Sequence, residues 1–415
     1  MFSLQYPDDW ETVPFTAVHR FNKGISITKA ELVENGIAVI NYGQIHAKNN
    51  LSVTTNPDSI RFAPANFDIG NVQPLKVGDL VFADTSEDRT GIGAFVRFDL
   101  GGTAFPGYHT LVARPHERFR HKYFSYLYLS DVWRDQVRQS AMGVKVYSIT
   151  QSLLKQATIL VPPEAQQNRI VQFIDHETAK IDHLIAKQRE LIALTESRLK
   201  LWRERSFWGE AQTENPFLNP PAGWMVLRNR HLLEHVDVRS ETGDEEMLSV
   251  SHITGVTPRS MKNVNMFEAE STVGYKLVAK NELVINTMWA WMGALGVSAY
   301  EGIVSPAYNV YRFRDLDAVN PMYFDCMYRT DAYVSLMKAH SRGIWESRLR
   351  LYPEVFLRLS SLVPPKDVQD RLVAENNERT TEAEKLITHC HQAIELLQER
   401  RSALITAAVT GQIEV

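Results

Sequence analysis

The sequence predicts an α+β fold in which two similar mixed α/β domains are separated by two long antiparallel helices forming a coiled coil. Three observations predict it. A motif occurs twice, each copy opens a long apolar helical register, and paired fragments precede the two copies in the same order.

The motif is Pro162-Pro163-Glu164-Ala165-Gln166-Gln167-Asn168-Arg169-Ile170-Val171, which returns as Pro364-Pro365-Lys366-Asp367-Val368-Gln369-Asp370-Arg371-Leu372-Val373. Its shared part is P-P-x-x-x-Q-x-R-[IL]-V, preceded both times by Leu-Val. Proline suits the mouth of a helix, where its missing N–H would have no intrahelical partner. After the first copy, Val171, Ile174, Thr178, Ile181, Ile185, Gln188, Ile192, Thr195, Leu199 and Trp202 step by three and four without a charge. After the second, the same register holds Val373, Asn376, Thr380, Ala383, Ile387, Cys390, Ile394, Leu397, Arg401 and Leu404, and only Arg401 breaks it. A sustained 3–4 stripe with charged residues between its members is a coiled-coil seam. At roughly 1.5 Å per residue, each helix spans on the order of 60 Å.

The repeat reaches further back. Pro7-Asp8-Asp9-Trp10 is echoed by Pro221-Ala222-Gly223-Trp224, and Gly78-Asp79-Leu80-Val81-Phe82 by Asn281-Glu282-Leu283-Val284-Ile285. Gly93 pairs with Gly296, Pro106-Gly107-Tyr108-His109 with Pro306-Ala307-Tyr308-Asn309, Tyr123-Phe124 with Tyr323-Phe324, and Gly143 with Gly343. An ordered succession of this kind marks diverged duplicates. Within each copy, short apolar runs between turns read as strands: Gly36 to Gly43, Leu80–Ala83 with Leu283–Asn286, and Thr110–Ala113 with Val310–Phe313. Helical segments follow at 121–139 and 321–340. Ser206 to Pro221, with Gly209, Asn215-Pro216 and Asn219-Pro220-Pro221, ends the first long helix in a loop. The resulting division is 1–161 and 208–363 for the two α/β domains, and 162–207 and 364–415 for the helical regions.

Composition bounds the function. The chain has 415 residues, 44% of them hydrophobic, enough for two or three domains with sizeable cores. No apolar stretch reaches the length of a membrane span, and the start lacks the basic and apolar regions of a signal peptide. With 2 cysteines, Cys326 and Cys390, neither a disulfide framework nor a four-thiolate zinc site is available, which points to the cytoplasm. The formal net charge of −4 places any nucleic-acid affinity on a local basic surface.

With these residues in view, the chain resembles the specificity (S) subunits of type I restriction–modification systems over essentially its full length. The duplicated Pro-Pro…Gln…Ile motif carries the resemblance, together with the ending Ala407-Ala408-Val409-Thr410-Gly411-Gln412-Ile413-Glu414-Val415. The first helix lacks that ending and has Leu201-Trp202-Arg203-Glu204-Arg205 instead. The resemblance implies a chain without catalysis of its own, in which each α/β domain is a target recognition domain reading one half of a bipartite, asymmetric site in double-stranded DNA. The helices would set the half-site spacing and dock two methyltransferase (M) subunits, with Ile174, Ile181, Ile185, Ile192, Leu199, Trp202, Ala383, Ile387, Ile394, Leu397 and Leu404 as the coiled-coil and subunit-docking positions. S-adenosylmethionine would belong to the M subunits, and ATP and Mg to the restriction (R) subunits. No metal site is expected in this chain.

Phosphates are neutralised by Lys and Arg, whereas base edges are read by shaped loops. The candidate DNA contacts of the first domain are Arg89, Arg97, His109, Lys145, Tyr147 and Ser148. Those of the second are Trp289, Asn309, Arg312, Arg342, Ser347, Arg348 and Arg350. Two pairs of equivalent stretches supply most of them. Gly143 to Ser148 and Gly343 to Arg348 each combine a glycine, an aromatic, a hydroxyl and a cation. Asp84 to Thr90 and Thr287 to Met292 share a position but not a chemistry, as two heads reading different bases require.

The signals for catalysis are weak. Asn219-Pro220-Pro221 lacks the aromatic that would stack on a flipped base, having Ala222 there instead. Gly91-Ile92-Gly93 is a fragment of a cofactor loop, no phosphate-binding G-x-x-x-x-G-K-[ST] loop is present, and the 13 His show no metal-ligand spacing. The competing readings are a non-catalytic coiled-coil scaffold and an autonomous methyltransferase. A basic concave face would argue against the first, and cofactor binding by this chain alone would argue for the second.

Overall fold

The computed structural model describes residues 6–415 except 48–49, 51, 120, 142–146, 209–215, 263–270 and 346–347. The chain forms two compact units, Met1–Gln188 with His391–Val415, and Arg189–Cys390. The division falls inside both long helices, which run Glu164–Phe207 and Lys366–Val409.

The first unit is built on a four-stranded antiparallel sheet in the order His19–Lys23, Thr110–Pro115, Leu80–Ala83, Phe95–Arg97. Leu80–Ala83 is central and its residues alternate between two cores. Leu80 and Phe82 join Phe15, Phe95, Tyr128 and Trp133 on one face, while Val81 and Ala83 join Ile40, Val96 and Val112 on the other. Burial on both faces explains why the strand reads as an unbroken apolar run. A second sheet orders Arg61–Ala63, Ile37–Ile40, Ala104–Pro106, the last two strands pairing in parallel. The strand expected between Gly36 and Gly43 is therefore shorter, because Asn41 turns the chain into the helical turn Tyr42–Ile45.

The second unit repeats the plan. Its four-stranded sheet runs Leu233–Val236, Asn309–Phe313, Leu283–Ile285, Leu295–Val297. Leu283 and Ile285 face one core and Val284 the other. In place of the parallel-paired sheet it has two two-stranded antiparallel sheets, the hairpin Leu248–Ser251 with Gly255–Pro258, and Lys276–Val278 with Gly302–Val304.

Each expected helical segment is two helices. They are Lys122–Leu129 with Asp131–Ser140, and Pro321–Tyr328 with Asp331–His340. The break has the same cause in both. Ser130 Oγ donates to Leu127 O (2.6 Å) and accepts from Trp133 N, and Thr330 Oγ1 donates to Met327 O (2.7 Å) and accepts from Tyr333 N. One hydroxyl closes the first helix and caps the second.

The duplicated motif has a structural use. Gln167 Nε2 donates to Pro162 O and Gln369 Nε2 to Pro364 O, both at 2.8 Å and both buried. The glutamine thus ties the first turn of each long helix to the strand that feeds it, Thr158–Val161 or Ser360–Val363. The P-x-x-W fragments form matching turns, Trp10 N donating to Pro7 O and Trp224 N to Pro221 O.

Within the first unit, Ile405, Ala408 and Val409 of the second long helix enter the same core as Trp10, Tyr123, Ile170 and Ile174. Arg401, the break in the seam, donates to Asp182 (3.0 Å), Tyr123 OH donates to Val409 O (3.0 Å), and Arg169 Nε donates to Val415 O (3.1 Å). Within the second unit, Arg203 donates to Asn376 Oδ1 and Thr380 Oγ1, both at 2.8 Å. The polar seam positions of the second helix are thereby satisfied, and burial lowers the pKa of Arg203. Glu204 accepts from the N–H groups of Asp331 and Ala332 at the mouth of the helix Asp331–His340. Ile174, Ile181, Ile185 and Ala383 are buried, and Ile192, Leu199, Trp202, Ile387, Ile394, Leu397 and Leu404 half-buried. Among the described residues, no helix is long and apolar enough to cross a membrane.

Candidate nucleic-acid interface

In each unit the structure brings the two loop stretches together. Thr85–Ser86 pairs antiparallel with Tyr147–Ser148, and Ile149 N donates to Asp84 O at 2.7 Å. In the second unit Leu351 N donates to Thr287 O at 3.2 Å, so the segment that includes Arg350 lies against the loop that includes Trp289. Arg342 and Arg350 face each other across an antiparallel bridge. Gly343 has to be glycine there, since a Cβ would stand 2.6 Å from Arg348 O. Lys145 and Ser347 lie outside the described residues.

A groove of about 650 Å³ opens at this place in the first unit, lined by Lys23, Asp84, Thr85, Tyr108, His109 and Ser148 among others. His109 and Ser148 meet in it, whereas Tyr147 turns inward against the core. The turn that carries His109 packs on Asn41 through Gly107, where a Cβ would sit 1.5 Å from Asn41 Oδ1. His109 has φ +50°, and its ring is 61% exposed with Nδ1 3.1 Å from Asp84 Oδ1. Burial, then the carboxylates of Glu87, Asp88 and Asp84, raise the pKa of Tyr42, whose ring lies 6.4 Å from that of His109.

The equivalent pair in the second unit is Thr287 and Asn309. Asn309 Nδ2 donates to Thr287 Oγ1 at 3.0 Å, but Asn309 is buried and its Oδ1 lies 3.5 Å from the ammonium of buried Lys276. The exposed groups of this unit are instead Trp289 (52%), Trp345 (66%), Arg342 and Arg348, with Arg350 half-buried. Trp291 is partly covered, donating to Met288 O beneath Lys338.

Several basic residues, the candidates Arg97 and Arg312 among them, hold the fold instead. Arg114 makes a bidentate pair with fully buried Asp79, its Nη2 2.7 Å from Oδ2. Arg312 occupies the same place in the second unit, 2.8 Å from buried Glu282. Arg97 is mostly covered and lies 3.7 Å from Asp99, and burial lowers its pKa. Lys122 is paired with Asp175 at 2.8 Å. Arg89 is exposed on its loop, in the stretch Asp84 to Thr90. The duplicated Arg–carboxylate clamp is a feature that sequence reasoning missed. Its signal was an acidic residue before each central strand, at Asp79 and Glu282, matched to an Arg in each Thr110–Pro115-type strand.

No protein-family model matches the sequence, and no curated protein does. Solved structures do match in fold. A chain from the structural study of complex assembly and conformational transition of the type I R-M system superposes with TM-score 0.71 at 15% identity, covering 99% of this chain and 100% of that one. The HsdS subunit from Thermoanaerobacter tengcongensis does so with TM-score 0.53 at 15% identity, covering 99% of each. The structural neighbours are thus type I restriction–modification specificity subunits, matched end to end. At this identity the likeness is one of fold.

Proposed function

We propose that this chain is the DNA-specificity subunit of a type I restriction–modification assembly. Each α/β part, 1–161 and 208–363, reads one half of a bipartite asymmetric duplex site. The helical regions, 162–207 and 364–415, run antiparallel as a coiled coil, hold the half-sites at a set spacing and dock the M subunits. The observation that carries this reading is the end-to-end fold match at TM-score 0.71 to a chain of a type I assembly.

Two features of the molecule support it. The loops joined in each unit share a frame and differ in chemistry, His109 and Ser148 in one, Trp289, Arg342 and Arg348 in the other. Off the seam, the helical stretches leave leucines exposed, Leu184 and Leu396 in the first unit and Leu191, Leu194, Leu201 and Leu386 in the second. Such leucines on otherwise charged helices suit a protein partner. The exposed DNA-contact set is then Arg89, His109, Ser148, Trp289, Arg342 and Arg348, with Arg350 at its margin. Methyl transfer, with S-adenosylmethionine, falls to the M subunits, and ATP-driven cleavage with Mg to the R subunits.

The test is selection from a randomised duplex pool by the full chain in complex with its M subunit, followed by sequencing. The expected product is one motif of two fixed half-sites separated by a fixed gap. Recovery of sequences without preference at moderate salt defeats the proposal.

A further inference from the structure

We propose that the Asp84–His109 pair is the base-reading element of the first unit, with His109 making the contact and Asp84 acting as its positioning residue. The inference rests on the function proposed above and names which group in the groove reads the base.

Asp84, when ionised, offers acceptors only, so the ring nitrogen 3.1 Å from it must carry a proton. That contact orients the imidazole and fixes its tautomer, leaving Nε2 on the side away from Asp84. In the neutral ring Nε2 is a lone-pair acceptor. The groups that complement it in the major groove are the exocyclic amino groups of adenine and cytosine. Thymine O4 and the O6 and N7 of guanine are acceptors themselves and are rejected.

Two observations besides the pair support this use. His109 holds a left-handed backbone, φ +50°, which a β-carbon-bearing residue adopts at a cost. The ring it positions packs only edge-on against Tyr42 and Tyr108, is 61% exposed and stands in the groove lined by Lys23, Thr85 and Ser148. The duplicate provides the contrast. Its Thr287–Asn309 pair has the same bond within a buried site, and Asn309 is free of the left-handed strain. The bond between the two loops is thus common to both copies, and only the first copy presents it outward.

The experiment takes the motif selected by the unaltered full-length complex and measures binding to every single-base substitution of it at one pH and moderate salt. His109→Ala is expected to lose discrimination at one base pair of one half-site, where the unaltered protein prefers adenine or cytosine. Affinity for the selected motif should fall roughly tenfold, the other half-site staying fully discriminated. His109→Asn, which tolerates the left-handed backbone, should lose the same preference, and Asp84→Ala should weaken it at the same position. Equal thermal unfolding of the variants confirms that the fold is intact, as the exposure of the ring predicts. An unchanged substitution profile for His109→Ala, or a loss of affinity equal for all sequences as a phosphate contact gives, overturns the proposal. Absence of any motif for the unaltered complex overturns both this proposal and the function on which it rests.

Discussion

The two units share a plan and differ in what they bury. Both have a four-stranded sheet in one strand order, an Arg–carboxylate clamp at one end of it, and a hydroxyl-capped break between two helices. Inside the first unit, His19 lies stacked on Phe15 with ring centroids 4.0 Å apart, Nδ1 3.1 Å from Phe15 O. Inside the second, Leu233 starts the matching strand and Asn229 takes the place of Phe15. Asn229 joins Tyr328, Tyr333 and Ser361 in a buried network. One backbone plan therefore tolerates two ways of satisfying polar groups at its centre. What both units keep is an Arg paired with the carboxylate that precedes the central strand.

That comparison can be broken at three places. The largest expected effect is at the clamp. Arg114→Met leaves the fully buried Asp79 carboxylate unpaired, destabilising the first unit by about 4 kcal/mol. Arg312→Met should act less, about 1 kcal/mol, because Arg312 is 58% exposed and water can replace part of what it gives Glu282. Denaturant midpoints resolved by hydrogen exchange of peptides from each unit will measure both, and equal losses would show that the clamps are not matched by burial. Next is Asn229→Ala. It takes one partner each from the Tyr328 and Tyr333 hydroxyls, Ser361 Oγ and Phe356 O, for a loss of roughly 2 kcal/mol confined to the second unit. The rate of thiol labelling at Cys326 and Cys390, both in that unit, should rise accordingly.

The last effect depends on pH and is absent at neutral pH. Burial lowers the pKa of His19 from 6.5 to about 3, so the unfolded chain takes up the proton first. Its contribution is complete above about pH 6.5 and is lost as pH falls toward 3, by about 1.4 kcal/mol per pH unit in that window. His19→Leu, the residue at the matching position of the second unit, should flatten this acid limb for the first unit alone. Urea titrations at several pH values, read by exchange of first-unit peptides, will decide it. A slope unchanged by the substitution would assign the acid limb to other groups.

Much of the fold was legible because duplication doubles the signal. Leu80–Ala83 and Leu283–Ile285 are buried on both faces and read as strands twice over, and the two helical registers support one another. The paired Tyr-Phe starts were legible as well, but the breaks at Ser130 and Thr330 were not. A single hydroxyl there decides between one helix and two, and its partner carbonyl is visible only in the folded chain. The juxtaposition of the two loop stretches within a unit was not legible, because their equivalence across the copies says nothing of contact within one copy. Which side chains face outward was hidden, because Arg114 and Arg312 are committed to carboxylates some thirty residues away in sequence. His109 and Asn309 likewise align in sequence while one stands in a groove and the other under a loop.

The helix segment that ends at Val409 has a consequence for how the molecule is made. Ile405, Ala408 and Val409 complete a core whose other members come from the opposite end of the chain, whereas Arg189–Cys390 is continuous in sequence. On the ribosome, the half translated second is thus the earlier of the two to possess all its parts. The half translated first must wait, with Trp10, Tyr123 and Ile174 uncovered, until the last turns emerge. A stop codon near residue 400 would accordingly injure the beginning of the protein more than its middle.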